Sequence, residues 1–138
     1  GRKWRKYIGD IFDHFNITYE YPGGVHLTFM SGQFCTVRDS SEEILGTDAA
    51  FSNRGDAIEI NGKNAWKWEG EDDASRNEWE AFIASVKEGN SRADAQHGAE
   101  GTFTTILGRE AAYRREEVEW KKLWDANDKY ERRPYPVA

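Results

Sequence analysis

Residues 11–34 read IFDHFNITYEYPGGVHLTFMSGQF. Phe15, Ile17, Tyr19 and Tyr21 alternate with Asn16, Thr18 and Glu20, and beyond Pro22-Gly23-Gly24 the residues Val25, Leu27 and Phe29 alternate with His26, Thr28 and Met30. Alternation of period two on both sides of a glycine turn predicts an antiparallel hairpin with one apolar face. The pattern continues outward. Residues 31–40 finish the second strand and turn. Residues 42–53 (EEILGTDAAFSN) predict a short strand, a turn at Gly46 and another short strand. Residues 56–60 (DAIEI) read as a strand, Asn61-Gly62 as a hairpin turn, and residues 64–69 (NAWKWE) as the returning strand with Trp66 and Trp68 on one face. Five or six strands joined by tight turns favour an antiparallel sheet.

The character changes at Gly70. Asp72-Asp73-Ala74-Ser75 leads a helix in which Ser75 and Glu78 have capping-box spacing. Trp79, Phe82, Ile83 and Val86 fall on one helical stripe, and Gly89 ends it. A second helix is predicted from Asp94 to about Arg115, with Ala99, Phe103, Ile106, Leu107 and Ala111 on its apolar face. Gly98, Gly101 and Gly108 lie inside it, each costing about 1 kcal/mol relative to Ala, and suggest close approach to the sheet. Residues 117–120 (EEVEW begins at Glu116) suit a short edge strand. Residues 121–127 read as a last helical turn or two, with Trp120, Leu123 and Trp124 inward. Strands first and helices second define an α+β fold: an open, mostly antiparallel sheet with helices on one face.

The chain has 138 residues, enough for one domain with a real core. It is 38% hydrophobic and 32% charged, with mean hydropathy -0.88 and six Trp, six Tyr and seven Phe, so large rings must build the core. A net charge of -6 argues against nucleic acid, whose phosphates need a basic surface. No apolar run approaches the ~20 residues of a membrane span. Cys35 is alone, which excludes an internal disulfide and leaves the redox compartment, cytoplasmic or periplasmic, open. The chain opens Gly1-Arg2-Lys3-Trp4 without methionine, which reads as an internal boundary, so the lack of a leader peptide carries no weight. The basic stretch 2–9 (RKWRKYIG) reads as an interdomain segment rather than an anion-binding arm. The expected division is 1–10 interdomain segment, 11–127 the α+β domain, and 128–138 a tail.

Four stretches together carry a resemblance. The first is the Asp13-His14-Phe15 hairpin with Tyr19-Glu20-Tyr21 and Gly24-Val25. The second is Ile44-Leu45-Gly46-Thr47-Asp48-Ala49-Ala50. The third is Asn64-Ala65-Trp66-Lys67-Trp68-Glu69-Gly70. The last is Leu107-Gly108-Arg109-Glu110-Ala111-Ala112-Tyr113, followed by Glu117-Val118-Glu119-Trp120. In this order, over residues 9–124, they resemble the C-terminal domain of the glucose-fructose oxidoreductase / inositol dehydrogenase / rhizopine-catabolism (Gfo/Idh/MocA) family. Many of its bacterial members carry a similar hairpin pattern. The resemblance implies an NAD(P)-dependent oxidoreductase moving a hydride between nicotinamide and a sugar, cyclitol or related polyol, a few members instead cleaving glycosides with redox assistance. It also implies a Rossmann domain, which this chain lacks: no G-x-G-x-x-G follows a strand, and no Glu-Lys-Pro is present. NAD or NADP would belong to that missing partner domain. A homo-oligomer contact through the polar sheet face is implied as well.

No catalytic residue is assigned. Asp10 and His14 have the Asp-x-x-x-His spacing of the family's catalytic pair, but that pair lies on a helix, where such spacing shares a face. Here the segment runs into a strand. Asp13 and His14 are the candidate substrate contacts, because a carboxylate and an imidazole at a strand end can orient vicinal hydroxyls; the plainer reading is an Asp cap beside a half-buried His. His26 reads as solvent-facing or interfacial, His97 as part of a helix's first turn, and the Asn16-Ile17-Thr18 sequon as a mid-strand coincidence. Three His and one Cys without ligand spacing predict no metal site. Two alternatives stand beside this. One is a free-standing α+β module binding carbohydrate or protein, with Trp66 and Trp68 as its platform. The other is a small α+β-barrel enzyme with Asp13 and His14 in a deep pocket.

Overall fold

The computed structural model describes residues 1–3, 11–33, 36, 39–55, 57–70, 73–90 and 94–129. The basic stretch beyond Lys3, Asp10, Cys35 and the tail from residue 130 lie outside the described residues. The fold is α+β, with mixed helices and open antiparallel sheets. Its contacts group into two compact units, one of Gly1–Phe34 and Ala93–Ala138, the other of Cys35–Arg92.

In the first unit, β1 (His14–Tyr21) pairs antiparallel with β2 (Val25–Gly32) across the predicted turn. Gly23 and Gly24 take φ of 82° and 76°, which a side chain would resist. The register Tyr21↔Val25, Tyr19↔Leu27 and Ile17↔Phe29 gathers the apolar residues on one face. Asn16↔Met30, Thr18↔Thr28 and Glu20↔His26 form the other. α2 (Ala95–Arg114) lies on the β1 half of the apolar face. Gly108 makes that possible: a Cβ there would sit 2.1 Å from the Tyr19 hydroxyl and 2.9 Å from Ile17 Cδ1. Tyr19 donates its hydroxyl to the Thr104 carbonyl at 3.1 Å. Gly98 and Gly101 face open space, so the predicted close approach is confined to Gly108. α3 (Trp120–Ala126) returns along α2, where Phe103 meets Trp120 and Trp124 edge-on at 4.7 and 4.9 Å. Leu123, 9% exposed, is the deepest apolar side chain described. The edge strand expected at 117–120 is absent: residues 117–119 are irregular, and Trp120 opens α3 by stacking on Trp124.

The second unit holds a four-stranded meander of β3 (Ser41–Leu45), β4 (Ala49–Arg54), β5 (Ala57–Gly62) and β6 (Trp66–Lys67). Ile44, Phe51, Ile60 and Trp66 fall in one cross-strand row. The last hairpin turns at Lys63-Asn64, two residues beyond Asn61-Gly62. Gly62 stays in β5 with φ 108°, where a Cβ would meet the Asp48 carbonyl at 2.6 Å. α1 (Ala74–Glu88) is capped by Asp73, whose carboxylate accepts from the Arg76 N–H at 3.0 Å. The Ser75/Glu78 capping box is therefore not used: Asp73 takes the cap two positions earlier. Gly89 closes α1 as expected, with Gly89 N–H on Val86 and Asn90 N–H on Ser85 in a Schellman arrangement. Among the described residues these strands form two ladders, β1-β2 and β3-β4-β5-β6, where the sequence suggested one sheet. No described helix is long and apolar enough to cross a membrane.

Candidate functional site

Asp13 and His14 sit at the open end of the β1-β2 hairpin. The backbone there is held from two sides. Arg2 N–H donates to the His14 carbonyl at 2.9 Å, while Asp13 N–H and His14 N–H donate to the Arg2 carbonyl at 3.0 and 3.1 Å. From the other flank, Gln33 N–H donates to the Asp13 carbonyl at 2.8 Å. Phe12, one residue earlier, is anchored to α2. Its N–H donates to the Tyr113 hydroxyl at 2.8 Å, and its ring stacks on Tyr113 at 4.2 Å. The backbone carrying the two side chains is therefore tied to a ladder and to a helix.

The two side chains touch: His14 Nδ1 meets a carboxylate oxygen of Asp13. Asp13 is 11% exposed and His14 42% exposed, so the carboxylate is the more buried of the two. Sequence reasoning named both residues but not their contact. Neighbours in a regular strand point to opposite faces; Asp13 escapes that rule because it occupies a bend just before β1 begins. Tyr113 was visible only as part of a motif, and nothing in the local pattern marked Arg2 or Gln33.

The remaining candidates lie apart from this pair. His26 is exposed on β2 opposite Glu20, and His97 is exposed in the first turn of α2. Trp66 and Trp68 are both exposed, their rings 6.1 Å apart and tilted by 56°. Among the described residues no group of three His, Cys, Asp or Glu could hold a metal.

Between α2 and α3 lies a cleft of about 780 Å³, walled by Phe103, Ile106, Leu123 and Trp124 with Arg109 and Glu110 at its side. The charges of Arg109, Glu110 and Arg114 in its wall are paired with one another. Glu110 takes Arg109 at 2.9 Å on one oxygen and Arg114 at 3.1 Å on the other. Burial pushes the Glu110 carboxyl up, but the hydrogen bonds and charges of the two guanidiniums outweigh it and hold it below the usual carboxylate range. The Tyr19 phenol moves the other way, raised by burial and then by neighbouring Tyr21.

No family model matches the chain, and no curated protein or solved structure shows significant similarity to it.

Proposed function

We propose that this chain is the substrate-binding and oligomerisation domain of an NAD(P)-dependent oxidoreductase acting on sugars, cyclitols or related polyols. The nucleotide would be held by a Rossmann domain outside these residues. The observation that carries the reading is the Asp13–His14 pair, braced on a sheet end with one polar edge turned to solvent. The motif order adds support. Gly108, in the Leu107–Tyr113 segment of the family resemblance, is the residue that admits Tyr19 of the hairpin segment. Two stretches far apart in sequence thus meet at one packing point.

In this reading the chain contributes positioning rather than redox chemistry. Asp13 and His14 orient substrate hydroxyls. The nicotinamide held by the partner domain would supply the hydride chemistry toward the substrate carbon, and the acid–base groups would come from that domain too. The polar row Asn16, Thr18, Glu20, His26 and Thr28 is the face proposed for the homo-oligomer contact. The chain alone should be catalytically silent.

Two measurements test this. Titrating the chain with myo-inositol under NMR should move the amide signals of Asp13 and His14 and spare those of β3–β6. Titrating with NADH should give no saturable binding. Saturable NADH binding would contradict the division of labour.

One observation favours a free-standing carbohydrate-binding module instead: the two exposed indoles of Trp66 and Trp68, since aromatic faces stack on sugar rings. Under that alternative, Trp66→Ala and Trp68→Ala would abolish myo-inositol binding and Asp13→Ala would spare it. The oxidoreductase reading predicts the reverse.

A further inference from the structure

We propose that Asp13 is a positioning residue that holds His14 in its Nδ1–H tautomer, so that Nε2 is a fixed acceptor for one hydroxyl of the substrate. The inference rests on the polyol reading above and sharpens it to one atom.

An ionised carboxylate can only accept hydrogen bonds. The contact joins the Asp13 carboxylate to His14 Nδ1, so Nδ1 carries the proton. In a neutral imidazole the other ring nitrogen is then a bare acceptor. That nitrogen belongs to the more exposed partner, 42% against 11% for Asp13. A ligand that pairs with Nε2 of this exposed imidazole must bring a donor. A hydroxyl does so without a charge; an ether or a deoxy carbon does not.

The backbone around the pair makes this a built arrangement. Asp13 is clamped by Arg2 on one flank and Gln33 on the other, and Phe12 is tied to Tyr113. These bonds fix the backbone from which both side chains project. A site that accepts a hydroxyl this way rejects the analogue lacking it, because the acceptor is then left unpaired.

The test begins without any ligand. The 138-residue chain, labelled with ¹⁵N in its imidazoles, is examined by long-range ¹H–¹⁵N correlation at about pH 8, above the ordinary imidazole range. His14 should show the Nδ1–H tautomer, while exposed His26 and His97 show the Nε2–H form usual in water. Asp13→Ala should remove the Nδ1–H preference, and Asp13→Asn, whose carbonyl still accepts, should restore part of it. If Asp13→Ala fails to fold, the wild-type tautomer decides. Adding myo-inositol should then move the His14 Nε2 resonance, with affinity about tenfold weaker in Asp13→Ala. An Nε2–H tautomer at His14, a tautomer unchanged in Asp13→Ala, or an Nε2 signal unmoved by myo-inositol would each overturn the proposal. The tautomer is read in the free chain, so its failure is separable from failure of the oxidoreductase reading, which the NADH titration decides.

Discussion

α1 is the more amphipathic of the two long helices, yet α2 is the one that lies on a strand pair. α2 lies on β1 with Gly108 against Tyr19 and Ile17, and its far side shelters Leu123. α1 makes no contact with β3–β6, and Trp79 (64% exposed), Phe82, Ile83 and Val86 stand in the open. In sequence α1 carries the clearer apolar stripe of the two. What separates them is the fit at the contact. α2 offers a residue with no side chain where a strand must come close, and a backbone carbonyl where a half-buried hydroxyl needs a partner. α1 offers bulky rings and no such notch. Periodicity shows which face of a helix is apolar; steric detail shows where that face can go.

The sharpest way to break this contrast is at Gly108. Gly108→Val should destabilise the α2–β1 unit by about 3 kcal/mol or more, since the new atoms fall inside the Tyr19 and Ile17 contacts. Gly101→Ala, on the same helix but in open space, should stabilise by about 0.5–1 kcal/mol through helix propensity alone. Urea midpoints at equal m-value would check both.

Next comes Leu123→Ala, expected to cost about 2 kcal/mol because the side chain is nearly enclosed. Phe82→Ser on α1 should stay within about 0.5 kcal/mol in the same assay, since it removes an already exposed ring. Equal losses from the two substitutions would mean that α1 is packed after all.

Tyr19→Phe is a smaller cut. It deletes the hydroxyl donated to Thr104 and should cost about 1 kcal/mol. It should also change the alkaline limb of the stability curve. The folded phenol ionises above its ordinary pKa of 10.0, so the unfolded chain releases that proton first. This contribution is therefore intact below pH 10 and is lost as pH rises through the raised folded value. In Tyr19→Phe that part of the slope should vanish.

The mildest effect concerns Glu110. Its folded carboxyl ionises below the ordinary value of 4.5, so its contribution is present above that pH and fades as pH falls through the depressed folded value. Glu110→Gln should flatten the acid limb of the urea-midpoint curve, and added salt should reduce the wild-type effect.

Much of the fold was legible where a single residue type has one physical job. The Pro22-Gly23-Gly24 turn, the Gly89 helix stop and the span of α2 all follow from local chemistry. The misses lie where local signals compete. Asn61-Gly62 looks like a turn, but Gly62 serves the close approach to Asp48, and the chain reverses at Lys63-Asn64. Ser75 and Glu78 have capping-box spacing, but the Asp73 carboxylate captures the Arg76 N–H. Residues 117–120 carry a strand-like pattern, but Trp120 gains ring contacts with Phe103 and Trp124 by joining a helix.

The candidate site was legible as two residue names and no more. That Asp13 and His14 touch depends on the bend before β1 and on the Arg2 and Gln33 clamps. Those are tertiary facts that leave no periodic trace.

The central claim is that this chain positions a polyol and leaves the nucleotide to another domain. The most direct measurement is an equilibrium titration of the chain with NADH, followed by energy transfer from its six tryptophans to the nicotinamide. The predicted result is no saturable transfer at any concentration where a Rossmann domain would fill. A saturable signal, competed away by NAD, would contradict the claim.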